Sequence, residues 1–256
     1  MDREKFDRLF DMDGRVVIVT GGTRGIGLAL AEGYVAAGAK VVVASRKAEA
    51  CAAAQERLES LGGEALGVAT HLGELDALDA LVGTTIERFG RLDVLVNNAA
   101  NALTQPVGQF TPEAYTKSFD VNVRGPVFLS QAALPHLVAS GNGAILNIIS
   151  AGAFLFSAEV AMYAAGKAAM LSFTKSFAAA LAPQGVRVNA LAPGPIDTDM
   201  VRANPPEFID AMAASTLQRR IADPDEIVGA ALLLTSDAGS YMTGQAVGVD
   251  GGLVPR

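Results

Sequence analysis

Short β-branched runs alternate with longer stretches whose apolar positions recur at helical spacing, from one end of the chain to the other. Seven runs, at 15–20, 40–45, 65–69, 93–97, 144–150, 186–191 and 245–250, read as strands. Between them, 25–37, 48–61, 75–89, 112–139, 158–182 and 224–236 read as helices. The strand runs are almost continuously apolar, as in strands buried on both faces of a parallel sheet. Strict βα alternation then predicts an α/β, Rossmann-type, doubly wound seven-stranded parallel sheet, with right-handed crossovers placing helices on both faces. In such folds ligands bind beyond the carboxyl ends of the strands. Residues 195–217 interrupt the rhythm with Asn204-Pro205-Pro206 and no clear strand. An irregular segment of that length inside a compact unit suits a substrate-covering lid.

No linker or shift of composition divides the 256 residues, so a single domain over 1–256 is expected. Half of the residues are hydrophobic and 18% are charged, enough apolar material for a large core. The net charge is −7 and the basic residues are scattered, which argues against a nucleic-acid surface. The first twelve residues mix acidic and basic groups and resemble neither a signal nor a transit peptide, which makes the cytoplasm the expected location. No apolar stretch is long enough to cross a membrane, and no metal site is expected. The single cysteine, Cys51, sits in an Ala-rich helical pattern and reads as a packed small hydrophobe.

Thr20-Gly21-Gly22-Thr23-Arg24-Gly25-Ile26-Gly27 follows the first strand and opens the first long helix. Glycines let a backbone turn tightly and approach a phosphate, and a helix amino end offers unpaired N–H groups to a pyrophosphate. The second strand ends in Ser45-Arg46-Lys47, with no carboxylate before Glu49. A carboxylate there would bond the ribose hydroxyls of NAD, whereas Arg46 suits the 2′-phosphate of NADP. Arg24 points the same way, because a cation at a helix amino end opposes the macrodipole unless an anion meets it. NADP(H) is therefore the expected cofactor, with NAD(H) left open.

Tyr163 and Lys167 lie four apart in a helical pattern and so share a face. A nearby ammonium favours phenolate, which predicts a tyrosine pKa lowered toward the range useful for proton exchange. Ser150 ends the strand thirteen residues earlier, at the functional rim of the sheet, where a hydroxyl can bond a substrate oxygen. Asn122 interrupts the long pattern at 112–139. Asn97 and Asn98 end a strand and suit backbone caps.

Taken in order, these motifs resemble the short-chain dehydrogenase/reductase family from Arg15 to Gly252. Thr20–Gly27 is similar to its cofactor turn, Asn97-Asn98-Ala99-Ala100 to its Asn-Asn-Ala-Gly stretch, and Asp250-Gly251-Gly252 to its usual ending. Ser150, Tyr163 and Lys167 resemble its catalytic trio and Asn122 the fourth member. Pro193-Gly194-Pro195-Ile196-Asp197-Thr198 is similar to the segment that holds the nicotinamide amide. The resemblance implies an NADP-preferring enzyme that interconverts a small-molecule ketone or aldehyde and an alcohol. In it Tyr163 is general acid or base, Ser150 polarises the carbonyl, Lys167 binds the nicotinamide ribose, and Asn122 holds a water beside Lys167.

The cofactor set implied is Gly21, Thr23, Arg24, Gly25, Ile26, Gly27, Ser45, Arg46, His71, Leu72, Asn98, Ala99, Tyr163, Lys167, Pro193, Gly194, Ile196 and Thr198. The resemblance also implies a homotetramer that packs helices 112–139 and 158–182 across an interface. Two positions depart from the pattern: Ala100 replaces a glycine, and His71 replaces an aspartate near the adenine. Two other functions stay open, reduction of a C=C bond conjugated to a carbonyl and a non-catalytic NADP-binding sensor or scaffold. The first usually accompanies another tyrosine spacing, and the second has no need of Tyr163, Lys167 and Ser150 together. Phe154, Leu155, Phe156, Met200, Val201, Phe208, Ile209 and Met212 serve either an apolar substrate pocket or packing between lid and core or between subunits.

Overall fold

The computed structural model describes residues 1–103, 105–155 and 160–254. A short helix α1 (Arg3–Asp7) precedes β1 (Val16–Thr20), α2 (Gly25–Ala36), β2 (Lys40–Ser45), α3 (Ala48–Ser60) and β3 (Ala65–Ala69). Then come α4 (Leu75–Phe89), β4 (Val94–Asn97), α5 (Pro112–Phe119), α6 (Gly125–Ala139) and β5 (Ala144–Ile148). The carboxyl-terminal part adds α7 (Ala161–Leu181), β6 (Arg187–Pro193), α8 (Asp199–Arg202), α9 (Pro206–Ser215), α10 (Val228–Thr235) and β7 (Ala246–Val249).

All seven strands are parallel, in the order β3-β2-β1-β4-β5-β6-β7. Alternate strand residues feed two cores. Val17, Val19, Val41, Val43, Val94 and Val96 pack under α2, α3 and α10, with Leu30, Tyr34, Leu58 and Leu234. Val16, Ile18, Val42, Leu95 and Ile145 pack under α4, α6 and α7, with Leu81, Leu129 and Leu137. A fully buried side chain of this size contributes about 1.5–3 kcal/mol. β1 pairs with both β2 and β4, so the order reverses between β1 and β4, and a crevice opens there beyond the carboxyl ends.

The amino-terminal pole is clamped by Asp93. Its carboxylate accepts the Val16 N–H at 2.9 Å and the Arg91 guanidinium at 2.6 and 2.9 Å, tying β4 to β1 far from the crevice. Arg187, buried on β6, donates to the carbonyls of Leu234, Ser236 and Gly239 at 2.7–3.1 Å, closing the carboxyl end of α10. Cys51 is buried on α3, its thiol donating to the carbonyls of Ser45 and Val68.

Several segments differ from expectation, among them 112–139, which is α5, a π-helical turn and α6 and not one helix. Residues 195–217 are largely helical, as α8 and α9, where the sequence predicts an irregular lid; Pro206 opens α9, its fixed φ suiting a helix's first turn. The expected helix at 158–182 runs over Ala161–Leu181, and 158 and 159 lie outside the described residues. Among the described residues no helix is long and apolar enough to cross a membrane.

Candidate active site

One cleft at the carboxyl rim gathers most of the expected residues. The turn after β1 supplies Gly21, Thr23, Arg24, Gly25, Ile26 and Gly27, and the end of β2 supplies Ser45 and Arg46. Leu72, Asn98, Ala99, Ser150, Tyr163 and Lys167 line it further along, and Pro193, Gly194, Ile196 and Thr198 close the far side.

The turn is built for close approach. Gly21 adopts a φ of +65°, and a Cβ on Gly27 would lie 2.1 Å from the Gly21 carbonyl oxygen and 2.5 Å from Asn98 Nδ2. No side chain caps the amino end of α2, so its first N–H groups face the cleft as an anion site. Asn98 Nδ2 donates to the Thr20 carbonyl at 2.8 Å, and Thr20 Oγ1 accepts the backbone N–H groups of Asn98 and Ala99. These bonds hold the β1 and β4 ends at a fixed separation. Asn97 donates to Ser130 Oγ and Asn147 Oδ1 beneath the floor. Ala100, in place of the glycine of the resembled stretch, has no positive φ and lines the cleft, so its Cβ carries no backbone strain there.

At the chemical end the strand stops at Ile148, two residues short of the predicted end, and Ser150 caps a 3-10 turn over Ala151–Ala153. Ser150 Oγ accepts the Gly152 N–H at 3.1 Å and is hydrogen-bonded to the Tyr163 hydroxyl. Lys167 is buried, donates to the Ile148 carbonyl at 2.7 Å, and lies 5.6 Å from the centre of the Tyr163 ring. Burial pushes the Tyr163 phenol above its ordinary pKa, with the Ser150 hydrogen bond pulling the other way. Burial also pulls Lys167 down to about 8. The lowered phenol expected from the spacing is thus corrected: withdrawal from water outweighs the Ser150 hydrogen bond, and the Lys167 ammonium is engaged by the Ile148 carbonyl.

Asn122 sits in a π-helical turn, Asp120–Arg124, between α5 and α6. It is buried, accepts the Asn101 N–H at 3.0 Å and donates to the Asn101 carbonyl at 2.9 Å. It packs against α7, where a Cβ on Gly166 would meet its own Cβ at 3.3 Å, one residue from Lys167. Asn122 and His71 do not line the cleft. His71 borders an adjoining groove shared with Arg46, and its Nδ1 accepts the Gly73 N–H at 3.1 Å.

The substrate end is apolar where it can be described. Met200 and Val201 of α8 line the cleft beside Ile149. Phe154 packs against the core, Leu155 and Phe208 are exposed, and Phe156 lies outside the described residues. Arg202 is held by both oxygens of Asp197, at 2.6 and 2.8 Å. Three polar residues that line the cleft were not expected from the sequence: Thr70 and Asn101, which have no motif of their own, and Asp199, the one carboxylate among the described residues that line it. Among the described residues no cluster fit for a metal ion occurs.

A family model described as enoyl-(acyl carrier protein) reductase matches residues 21–254. Galactitol 2-dehydrogenase of Agrobacterium fabrum is 37% identical over 253 residues, covering 94% of this chain and 98% of that protein. Dehydrogenase/reductase SDR family member 4 of Homo sapiens is 35% identical over 245 residues, covering 94% of this chain and 88% of that protein. The chain belongs to the short-chain dehydrogenase/reductase family. It is an oxidoreductase of that family, and solved members share its architecture. A gluconate 5-dehydrogenase from Burkholderia cenocepacia, in complex with NADP and tartrate, superposes with a TM-score of 0.93 at 35% identity, over 97% of this chain and 98% of that one.

Proposed function

We propose that this short-chain dehydrogenase/reductase uses NADP(H) to interconvert a largely apolar ketone or aldehyde and the corresponding alcohol, with Tyr163 as the proton-transferring group. The observation that carries the reading is the hydrogen bond between Ser150 and Tyr163, beside the buried ammonium of Lys167. Two hydroxyls converge there on the point where a substrate oxygen would sit. That pair also favours the carbonyl reaction over reduction of a conjugated C=C bond, despite the wording of the family model's description. A sensor without turnover would have no use for it.

The residues fit a dinucleotide. The uncapped end of α2 and the glycine cradle that a Gly27 Cβ would fill suit a pyrophosphate, and Arg46, with no ion pair among the described residues, suits a 2′-phosphate. When bound, the nicotinamide supplies or accepts the hydride. In reduction the Tyr163 hydroxyl donates its proton to the carbonyl oxygen while Ser150 donates a second hydrogen bond to it. The raised phenol keeps that proton in place at neutral pH. Lys167 holds a positive charge behind the phenol and offers its remaining protons to the nicotinamide ribose. Met200, Val201 and Ile149 give the substrate end an apolar lining, and Arg202, the cation of α8, is already tied to Asp197. The working form in this reading is a homotetramer built on α5, α6 and α7, whose outer faces expose Tyr115 and Phe128.

The test is NADPH oxidation across aliphatic, aromatic and steroid ketones, with NADH in parallel and sugar acids as the polar control. Turnover is expected with NADPH on apolar ketones. Tyr163→Phe should lose at least about a hundredfold in kcat, the scale of positioned acid–base catalysis, while binding NADPH normally. A mutant that keeps its rate would sink the assignment.

A further inference from the structure

The cofactor turn and the lid touch at two consecutive positions. A Cβ on Gly25 would meet Thr198 Cγ2 at 3.1 Å, and one residue outward on each side Arg24 Nη1 pairs with Asp199 Oδ2 at 3.2 Å. Asp199 is the only carboxylate among the described residues lining the cleft; the cations there are Arg24, Arg46 and Lys167. Lys167 is engaged by Ile148, and Arg46 has no ion pair among the described residues. Arg24 is therefore the one cleft cation already matched to an opposite charge.

We infer that Asp199 is a specificity-determining residue for the cofactor: it occupies Arg24 in the free protein and gives it up to a 2′-phosphate. This rests on the proposed preference for NADP(H). A phosphate that recruits Arg24 must first displace the Asp199 carboxylate, so part of its attraction is spent on that exchange. The 2′-hydroxyl of NAD carries no charge and leaves the pair in place. Asp199 thus narrows the gap between the two cofactors, and it does so from the lid helix that carries Met200 and Val201. The pair is exposed, with side chains 74% and 65% accessible, so the exchange is a modest one. Exposed pairs of this kind correspond to roughly a two- to fivefold change in an equilibrium constant.

Calorimetric titration of the full chain with adenosine 2′,5′-bisphosphate and with AMP tests the inference. Asp199→Asn should tighten the bisphosphate about two- to fivefold and AMP by distinctly less, and the gain should vanish in an Arg24→Ala background. A gain that persists without Arg24 means that Asp199 merely repels phosphate, and it overturns the exchange. So does an unchanged bisphosphate affinity in a protein that still prefers bisphosphate to AMP. If the wild type binds both nucleotides equally and Arg24→Ala alters neither, the NADP preference itself fails and the exchange falls with it.

Discussion

Lys167 enters the core as a cation with one backbone acceptor, the Ile148 carbonyl at 2.7 Å, and burial holds its pKa near 8. In the unfolded chain the same group titrates near its ordinary value of 10.5. Between about 8 and 10.5 the unfolded chain therefore binds more protons, and this residue makes the fold more stable as pH rises through that window. Lys167→Met should accordingly raise stability at pH 7 by about 1–3 kcal/mol and abolish turnover, with the gain shrinking by pH 10. Denaturant melts at the two pH values check the sign. The same group sets a pH limit on activity: kcat/KM for reduction should hold through pH 7 and decline above about 8, as Lys167 loses its proton. A profile flat to pH 10 would remove Lys167 from the mechanism. The spacing of Tyr163 and Lys167 is visible in the sequence because a helix makes it geometric. The direction of the phenol's shift is not visible, because it depends on how much water the surrounding strand, turn and lid leave around the ring.

At the scale of elements, strands and helices are legible almost to the residue, since period and β-branching are local properties of the chain. The π-helical turn that presents Asn122 is legible only in part, because Asn122 interrupts the apolar pattern but nothing in the spacing marks the extra residue of Asp120–Arg124. The lid is only half legible: Pro205 and Pro206 stop one pattern, and the same Pro206 starts α9, a second signal hidden inside the first. Two elements offer clean tests. Gly27→Ala would set a methyl group 2.1 Å from the Gly21 carbonyl oxygen, forcing the turn open. NADPH binding should weaken by at least about tenfold with the melting temperature less affected, since overpacking of this kind costs about 1–3 kcal/mol. Arg187→Met should destabilise the fold by about 1–3 kcal/mol, because the Leu234 carbonyl would be left buried without a donor, while those of Ser236 and Gly239 keep the backbone N–H groups of Gly239 and Met242. A melt that moves by less than a kilocalorie would show that water replaces the guanidinium.

For the molecule as a whole, the reversal of strand order between β1 and β4 explains why residues spread from position 21 to position 201 meet in one cleft, while Asp93 and Arg91 stiffen the opposite pole. That convergence can be read from the alternation of elements alone. Which charged groups pair across the cleft mouth cannot, since Arg24 and Asp199 are far apart in the chain and carry no shared motif. Light scattering should give four times the 26.3 kDa chain mass for the proposed tetramer, and a monomer would overturn that proposal. The buried state of Cys51 has a practical consequence. A folded chain whose sole thiol is shut inside α3 is silent toward maleimide dyes, so a cysteine placed at exposed Glu207 would be the only labelled position. A fluorophore there would follow the lid against the cofactor turn, with no background to subtract.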